Sequence, residues 1–295
     1  MTAPFGEVLT AMITPFTDDG EVNYAEAARL AAYLAENGSD ALVVSGTTGE
    51  SPTLTDEEKV RLFSTVVEAV KGKAKVLAGT GSNATKHSVE LTKKAEACGV
   101  DGIMLVVPYY NKPTQEGLYQ HFATIAQATT LPVLLYNVPG RTSLNMTAET
   151  TVRLATTVPN IVAIKEASGN LEQISFICRT APADFAVYSG DDALTLPILA
   201  VGGCGIVSVA SHVAGKEIKK MVSAYRSGDV ETARALHLRL LPLFKGMFIL
   251  TNPIPVKTAM HLLGFKTDVM RLPLVAPTAE EKDTIKELLS KMGYL

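Results

Sequence analysis

Short apolar runs alternate with amphipathic helical patterns along most of the chain. Eight of these runs are typical of buried β-strands, and they begin at Val8, Asp40, Lys75, Gly102, Pro132, Ile161, Phe185 and Gly205. The patterns between them are helical, and they include one segment with a capping box at Thr55 and Glu58 and another that ends at Gly99. Because each interval can hold a helical crossover, the pattern predicts an α/β protein built from βαβ units.

Eight such units favour a closed (β/α)8 TIM barrel, while a doubly wound open sheet is an alternative that periodicity leaves open. After Val213 the pattern is entirely helical, and it includes a second capping box at Thr278 and Glu281. This is more helix than eight units require. We therefore predict a barrel domain over residues 1–225 and a C-terminal helical domain over residues 226–295.

Composition and charge narrow the function. The net charge is −3 and the Lys and Arg residues are scattered, which argues against a nucleic-acid partner. The first residues lack the basic and apolar regions of a secretory signal, so we expect a cytoplasmic location. The most apolar segment, residues 196–210, is broken by Pro197 and is too short to span a bilayer, so no membrane partner is expected. The three cysteines show no CxxC spacing and are interpreted as structural thiols.

Polar residues follow several of the predicted strands. These segments are GTTGES at 46–51, PYYNKP at 108–113, YNVPGRT at 136–142 and the lysine of IVAIKEASG at 165. In a parallel barrel the carboxyl ends of all strands share one rim, and catalytic residues lie there. We therefore expect these segments to form one site.

The lysine of the sixth strand, Lys165, stands at the end of an apolar run. Because side chains alternate along a strand, Ala163 and Ala167 would share its face, and Ile164 and Glu166 would face the helices. If Lys165 points to the barrel axis, its small neighbours leave room around the amine.

A tyrosine of the adjacent strand, Tyr136, can point inward while Val133 and Leu135 point outward, which would place a phenol beside Lys165. Burial disfavours the charged form of a lysine, so the amine can attack a carbonyl carbon and form a Schiff base. This chemistry requires no metal and no organic cofactor. The alternative is that Lys165 pairs with a carboxylate across the barrel and only supports packing.

The segments GTTGES, PYYNKP, YNVPGRT and IVAIKEASG, taken in this order, resemble the Schiff-base-forming class I pyruvate aldolases, and among them the dihydrodipicolinate synthase family. The resemblance extends from MITPF near the start of the chain to NPIPVK near its end. It implies a (β/α)8 barrel with a C-terminal helical extension, usually a homotetramer built as a dimer of dimers. It also implies condensation of pyruvate with L-aspartate semialdehyde in the diaminopimelate route to lysine.

The resemblance also implies catalytic roles for four residues. Lys165 matches the lysine that forms the Schiff base, and Tyr136 matches the tyrosine that relays protons. Thr47 and Tyr110 correspond to its partners in the relay, and the residue that Tyr110 matches reaches into the site of a neighbouring subunit. A tight dimer would then complete each site.

Three further residues match substrate-binding positions of the family. Thr48 corresponds to the residue that holds the pyruvate carboxylate, and Ile206 to the position whose carbonyl lines the pyruvate pocket. Arg141 corresponds to the arginine that binds the carboxylate of aspartate semialdehyde, which a guanidinium can do bidentately. The related sialic acid lyases lack this arginine, so Arg141 favours the synthase.

Lysine-inhibited members of the family bind lysine at the dimer interface. Three of their contact residues correspond to Ser51, Asn83 and Tyr109 here. The positions at which inhibited bacterial enzymes carry histidines and a glutamate hold Asp56, Lys59 and His87. Because the acid at the last of these positions is lost and cations are gained, the site would repel the inhibitor's ammonium group. We expect weak or absent inhibition by lysine.

Competing interpretations rest on weaker patterns. Residues 79–84 fit GxGxxA after a strand, but a dinucleotide site also needs an acid at the end of the next strand, and Asp101 stands at its beginning. An aldolase acting on sialic acid or a keto-deoxy sugar acid would share the lysine and the tyrosine. A non-catalytic barrel is the structural alternative. The five histidines are not clustered, and the pair Asp191 and Asp192 is typical of a helix cap, so no metal site is predicted.

Overall fold

The computed structural model describes residues 3–295, and its parallel strands form one closed barrel in chain order. The strands are β1 Val8–Ala11, β2 Ala41–Val44, β3 Lys75–Gly79, β4 Gly102–Val106, β5 Val133–Asn137, β6 Ile161–Glu166, β7 Ala186–Ser189 and β8 Gly205–Ser208. Each corresponds to one of the predicted apolar runs. The closed barrel confirms the TIM-barrel prediction and excludes the doubly wound open sheet.

Helices separate every pair of consecutive strands, and four more follow β8 in the described part of the chain. They are α1 Tyr24–Glu36, α2 Asp56–Val70, α3 Thr85–Ala97, α4 Gln115–Ala126, α5 Pro139–Thr142, α6 Ala148–Thr157, α7 Leu171–Thr180, α8 Thr195–Ala200, α9 Ser211–Arg226, α10 Val230–Gly246, α11 Ile254–Leu262 and α12 Ala279–Lys291. Both predicted capping boxes are present, at the starts of α2 and α12. Gly99 follows α3 with a φ of +77°, a conformation that suits glycine.

Strand alternation sorts the buried side chains into two layers. Tyr136 and Ala163 belong to the layer inside the barrel. Val133, Leu135 and Ile164 belong to the layer between the strands and the helices. The inward orientation predicted for Tyr136 and the outward orientation predicted for its strand neighbours are therefore confirmed.

The amino end of the barrel is closed by its own side chains. Phe5 packs in the inner layer, and its backbone N–H donates to the Tyr188 hydroxyl at 3.2 Å. That hydroxyl donates in turn to the Gly6 carbonyl at 2.9 Å. Burial raises the pKa of Tyr188, so the phenol stays protonated and serves as a structural bridge. A substrate must therefore enter at the carboxyl end.

The C-terminal segment returns to that open end. The side chain of Lys257 in α11 contacts Glu50, which follows β2, and Arg271 contacts Glu58 at the start of α2. The predicted division into residues 1–225 and 226–295 stays a prediction, although α9 ends close to it, at Arg226. Within residues 3–295, no helix combines the length and apolar character needed to cross a membrane.

Candidate active site

The site residues of β5 and β6 lie side by side on neighbouring strands. Tyr136 pairs in register with Lys165, and Lys165 pairs in register with Tyr188 on β7. Lys165 is 6% exposed, and its Nζ lies 3.9 Å from the centre of the Tyr136 ring. Among residues 3–295 no carboxylate lies within salt-bridge distance of this amine, so the carboxylate pairing considered for Lys165 is absent.

A polar network behind these strands holds their ends together. The Asn137 side-chain amide donates to the Glu166 carboxylate at 3.1 Å, which joins β5 to β6 on the side facing the helices. The same carboxylate accepts hydrogen bonds from the Ser168 backbone N–H and from Gln173 of α7. Burial raises the pKa of Glu166, and these donors oppose the shift. The sequence predicted that Glu166 faces the helices but not that it joins the ends of β5 and β6. The polar residues at outward positions of these two strands could have indicated such a hydrogen-bond network.

The loop after β2 presents two unpaired backbone donors. Ser45 and Glu50, with φ values of 56° and 55°, bracket it in left-handed conformations, and Gly49 N–H donates to the Gly46 carbonyl at 3.1 Å. In the described part of the chain, the backbone N–H groups of Thr47 and Thr48 have no protein acceptor. Successive free N–H groups of this kind form a concavity that suits an anion such as a carboxylate.

A cavity of about 570 Å³ opens beside this loop. Its walls contain six of the ten predicted site residues: Thr47, Ser51, Asn83, Tyr109, Tyr136 and Arg141. Lys165 does not line the cavity, but its amine lies against the ring of Tyr136, which does. Thr47 and Tyr136 both line this cavity, but their hydroxyl groups form no hydrogen bond with each other in the described residues.

The predicted discriminator, Arg141, lies in the short helix α5 at the rim of this cavity. It is exposed, and no carboxylate among residues 3–295 forms a salt bridge with it. Its Nη2 lies 3.5 Å from the Asn252 carbonyl. An unpaired guanidinium at the mouth of a cavity is suited to bind a carboxylate.

Tyr110 lies outside this cavity, on the loop after β4. Its side chain is 90% exposed and its φ is +74°, so the backbone holds a large aromatic ring out into solvent. The loop is not loose, because Asn111 donates to the Asn83 carbonyl at 2.9 Å and Asn83 donates to the Tyr109 carbonyl at 3.2 Å. Exposed aromatic side chains on fixed loops are typical of protein interfaces.

Two other predicted positions differ in how they reach the site. Thr48 is buried behind the loop, where its Oγ1 accepts a hydrogen bond from the Asn252 amide at 2.9 Å. Ile206 is buried on β8, and its side chain packs in the layer between strands and helices. Only the backbone of Ile206 is therefore placed for a role inside the barrel.

The cavity continues outward to Asp56, Lys59 and His87, the three residues on which the prediction of weak lysine inhibition rests. His87 Nε2 lies 2.9 Å from the Asp56 carboxylate. Lys59 is 8% exposed, and burial lowers its pKa. The Asp56 carboxylate, the only acid of these three residues, is thus already paired with His87.

The remaining motifs have structural explanations. A Cβ on Gly79 would lie 2.4 Å from the Ser45 carbonyl oxygen, and one on Gly81 would lie 2.4 Å from the Val106 nitrogen, so these glycines allow close packing of strand ends. Asp191 does cap a short 3₁₀ turn, as predicted. The Asp192 carboxylate instead accepts hydrogen bonds from the Ser208 hydroxyl and from the backbone N–H groups of Val209 and Ala210, which follow β8.

Comparisons with known proteins agree with this geometry. The model of the dihydrodipicolinate synthetase family matches residues 4–292. The chain belongs to this family. The 4-hydroxy-tetrahydrodipicolinate synthase of Moorella thermoacetica is 60% identical over 291 residues, which cover 99% of each chain. The enzyme of the same name from Desulforamulus reducens is 58% identical over 294 residues, covering 100% of this chain and 99% of the relative.

Solved structures of dihydrodipicolinate synthetase family members share the whole fold. The crystal structure from Cyanidioschyzon merolae, determined with lysine bound, superposes with a TM-score of 0.98 at 52% identity and covers 100% of both chains. Members of this family act through a Schiff base, which is the chemistry that the sequence predicts for Lys165.

Proposed function

We propose that this chain is a 4-hydroxy-tetrahydrodipicolinate synthase, which condenses pyruvate with L-aspartate 4-semialdehyde. The observation that carries the proposal is the buried Lys165 amine, which has no acid partner in the described residues and lies against Tyr136. The whole-chain similarity to enzymes of this name supports the same conclusion.

The first half-reaction takes place on Lys165. Its neutral amine attacks the keto carbon of pyruvate, and the carbinolamine loses water to give an iminium ion. That ion withdraws electrons, so a proton can leave the adjacent methyl group and an enamine forms. Each step moves a proton, and Tyr136, whose ring centre lies 3.9 Å from the amine, carries a hydroxyl that can donate or accept one. Thr47 lines the same cavity and extends this relay.

Carboxylate recognition orients both substrates. The free N–H groups of Thr47 and Thr48 bind the carboxylate of pyruvate, which turns the keto carbon toward Lys165. Arg141 binds the carboxylate of aspartate semialdehyde at the mouth of the cavity. The enamine then attacks the aldehyde carbon. The substrate's amino group displaces the lysine and closes the ring, which releases the enzyme amine.

We infer a dimer that completes each site, with Tyr110 of one copy reaching the hydroxyl relay of the other. The 90% exposure of Tyr110 and its fixed loop support this role. Two such dimers would form the homotetramer, in the cytoplasm. A Tyr110→Ala variant would then be impaired, whereas mixing it with Lys165→Met subunits would restore activity in the heterodimers, because each mixed dimer contains one complete site.

Inhibition by lysine should be weak in this chain. The Asp56 carboxylate is engaged by His87, and the buried Lys59 adds a positive charge beside it, so an incoming ammonium group finds no free acid there. We expect millimolar lysine to leave most of the activity. The double variant Asp56→His/His87→Glu is the matched test, and it should become more sensitive. Half inhibition of the unaltered enzyme at submillimolar lysine would contradict this expectation.

A coupled assay tests the proposed reaction against its closest rival. The purified enzyme should consume aspartate semialdehyde in the presence of pyruvate, and should not cleave sialic acid or keto-deoxy sugar acids. An Arg141→Ala variant should lose apparent affinity for the semialdehyde much more than for pyruvate. Cleavage of a sugar acid at a comparable rate would overturn the proposal.

A further inference from the structure

Asn252, in the turn between α10 and α11, touches both carboxylate-binding parts of the site. Its side-chain amide donates to the Thr48 hydroxyl at 2.9 Å, and its backbone carbonyl lies 3.5 Å from Arg141. The side chain is nearly buried, with 6% of the residue exposed. This residue comes from a part of the chain that follows the barrel, yet it lies behind the loop that presents the pyruvate donors.

The hydrogen bond from Asn252 determines what the Thr48 hydroxyl can do. A threonine hydroxyl has one hydrogen to donate and lone pairs to accept. Because one lone pair of Thr48 accepts from the amide, its hydrogen must point elsewhere. This hydroxyl donates no hydrogen bond to another group within residues 3–295. A carboxylate seated on the adjacent backbone N–H groups would provide that acceptor.

An ion pair keeps Asn252 and this loop in fixed positions. Lys257 Nζ lies 2.6 Å from the Glu50 carboxylate, and the two side chains are 0% and 1% exposed. The other Glu50 oxygen accepts from the Arg271 backbone N–H at 3.1 Å. Glu50 is two residues beyond Thr48, so α11 and the segment after it are tied to the loop close to the hydroxyl.

A second feature of Asn252 is hard to explain by packing alone. Its Oδ1 is buried and has no hydrogen-bond partner within residues 3–295. A buried acceptor without a partner is unfavourable, so a purely structural role would favour a side chain whose polar atoms are all satisfied. The arrangement suits a residue retained for the one bond that it donates to Thr48.

We propose that Asn252 is a positioning residue for pyruvate binding: it occupies a lone pair of the Thr48 hydroxyl and so directs the hydroxyl hydrogen to the substrate carboxylate. This inference rests on the proposed function, because it requires pyruvate to bind at Thr47 and Thr48. It does not require Asn252 to touch the substrate. Its effect must therefore pass through Thr48.

A double-mutant cycle tests that dependence. The variants are Asn252→Ala, Thr48→Val and the two combined, and the readouts are the KM for pyruvate and the rate at which cyanoborohydride traps pyruvate on the enzyme. Asn252→Ala should raise the KM for pyruvate about tenfold, as expected for one misdirected hydrogen bond. It should change the KM for aspartate semialdehyde much less. In the Thr48→Val background it should have no further effect.

Asn160→Ala is the matched control. Its side-chain amide donates to the carbonyls of Ala126, Thr129 and Leu131 near the amino end of the barrel, far from the proposed site. This variant should lower the melting temperature and leave the KM for pyruvate unchanged. Asn252→Asp tests the direction of the bond, because a carboxylate cannot donate to Thr48. An Asp variant with the pyruvate KM of the unaltered enzyme would overturn the proposal.

A further pair of variants covers the case in which Asn252→Ala does not fold. Thr48→Ser keeps the hydroxyl and should keep the KM for pyruvate, while Thr48→Val should raise it. Equal KM values for these two variants, or additive effects in the cycle, would overturn the proposal. If the unaltered enzyme traps no pyruvate at all, the proposed function fails instead, so the two failures are distinguishable.

Discussion

The strands of the barrel and the C-terminal segment each bury one lysine, and the surroundings of these two lysines differ. Lys257 is completely buried against Glu50, with the two charged groups 2.6 Å apart. Lys165 is almost as deeply buried, but the centre of a tyrosine ring lies 3.9 Å from its amine. No carboxylate of the described residues lies within salt-bridge distance of that amine. Burial alone therefore does not separate a structural lysine from a reactive one; the partner does.

The physical difference concerns the partner of each amine. Burial lowers the pKa of Lys257, and the attraction of Glu50 opposes that shift and favours the ammonium form. An ammonium group held by a carboxylate has no free electron pair to attack a ketone. Lys165 has no carboxylate partner in the described residues, so its amine is not held in an ion pair and is available to a ketone.

The largest expected effect is the loss of turnover on removing the reactive lysine. Lys165→Met should reduce turnover by at least about 10³-fold, because no other group can replace the nucleophile. The variant should fold normally, since it leaves no acid unpaired. Steady-state rates and circular dichroism spectra check both statements. Turnover within tenfold of the unaltered enzyme would remove Lys165 from the chemistry.

The same substitution at the structural lysine should give the opposite pattern. Lys257→Met leaves the Glu50 carboxylate buried without its cation, which should lower the free energy of unfolding by about 3–5 kcal/mol. Urea denaturation measures this loss, and pyruvate should still be trapped on Lys165 by the folded fraction. In the double variant Glu50→Gln/Lys257→Met most of the stability should return. No recovery there would mean that the charge pair is not the cause.

Whether the sequence predicts the surroundings of each lysine depends on how far apart in the chain the contacting residues are. Strand alternation predicted which residues share a face with Lys165 and allowed Tyr136 to point inward, because that periodicity is local. The Glu50–Lys257 pair joins residues 207 positions apart, and no local pattern connects them. Asn252 was missed as a partner of Thr48 for the same reason. The resemblance included its NPIPVK segment but gave it no function.

The loop conformations were also beyond sequence reasoning. The exposed, positive-φ backbone of Tyr110 depends on the bonds that Asn83 and Asn111 make across two loops. The resemblance supplied a role for Tyr110, whereas the pattern of polar and apolar positions did not. Site residues on strands were thus predictable from periodicity, and those on loops only by similarity to a family.

A smaller change sharpens the comparison at Lys165 itself. Tyr136→Phe keeps the ring beside the amine and removes only the hydroxyl, so the proton relay is damaged while the surroundings of the lysine stay apolar. Turnover should fall about 10²-fold, the usual size of a lost acid–base group. Trapping of pyruvate should persist at a reduced rate. Equal turnover in the Phe variant would mean that Tyr136 has only a packing role.

The smallest effect concerns a buried histidine, His121, whose Nδ1 lies 2.9 Å from the Thr85 hydroxyl and which has no ion-pair partner in the described residues. Burial lowers the pKa of His121 to about 4, and its Nε2 has no partner in the described residues. The unfolded chain binds a proton near pH 6.5 and the folded chain does not, so stability is fully present above pH 6.5 and falls as the pH drops toward 4. By pH 5 this amounts to about 2 kcal/mol.

Denaturation curves at several pH values check this sign. His121→Gln should show a shallower loss of stability below pH 6.5 than the unaltered protein. The buried acids Glu166 and Asp192 have raised pKa values and act in the opposite direction, but they are present in both proteins and cancel in the comparison. Parallel curves for the two proteins would contradict the assignment of the slope to His121.

The most direct measurement is peptide mass mapping of the enzyme after cyanoborohydride reduction in the presence of pyruvate. The unpaired amine predicts one reduced pyruvate adduct per chain, on the peptide that contains Lys165, and none on Lys257, which is paired with Glu50. An unmodified Lys165, or a label on any other lysine, would contradict the claim that the absence of an acid partner makes this amine reactive.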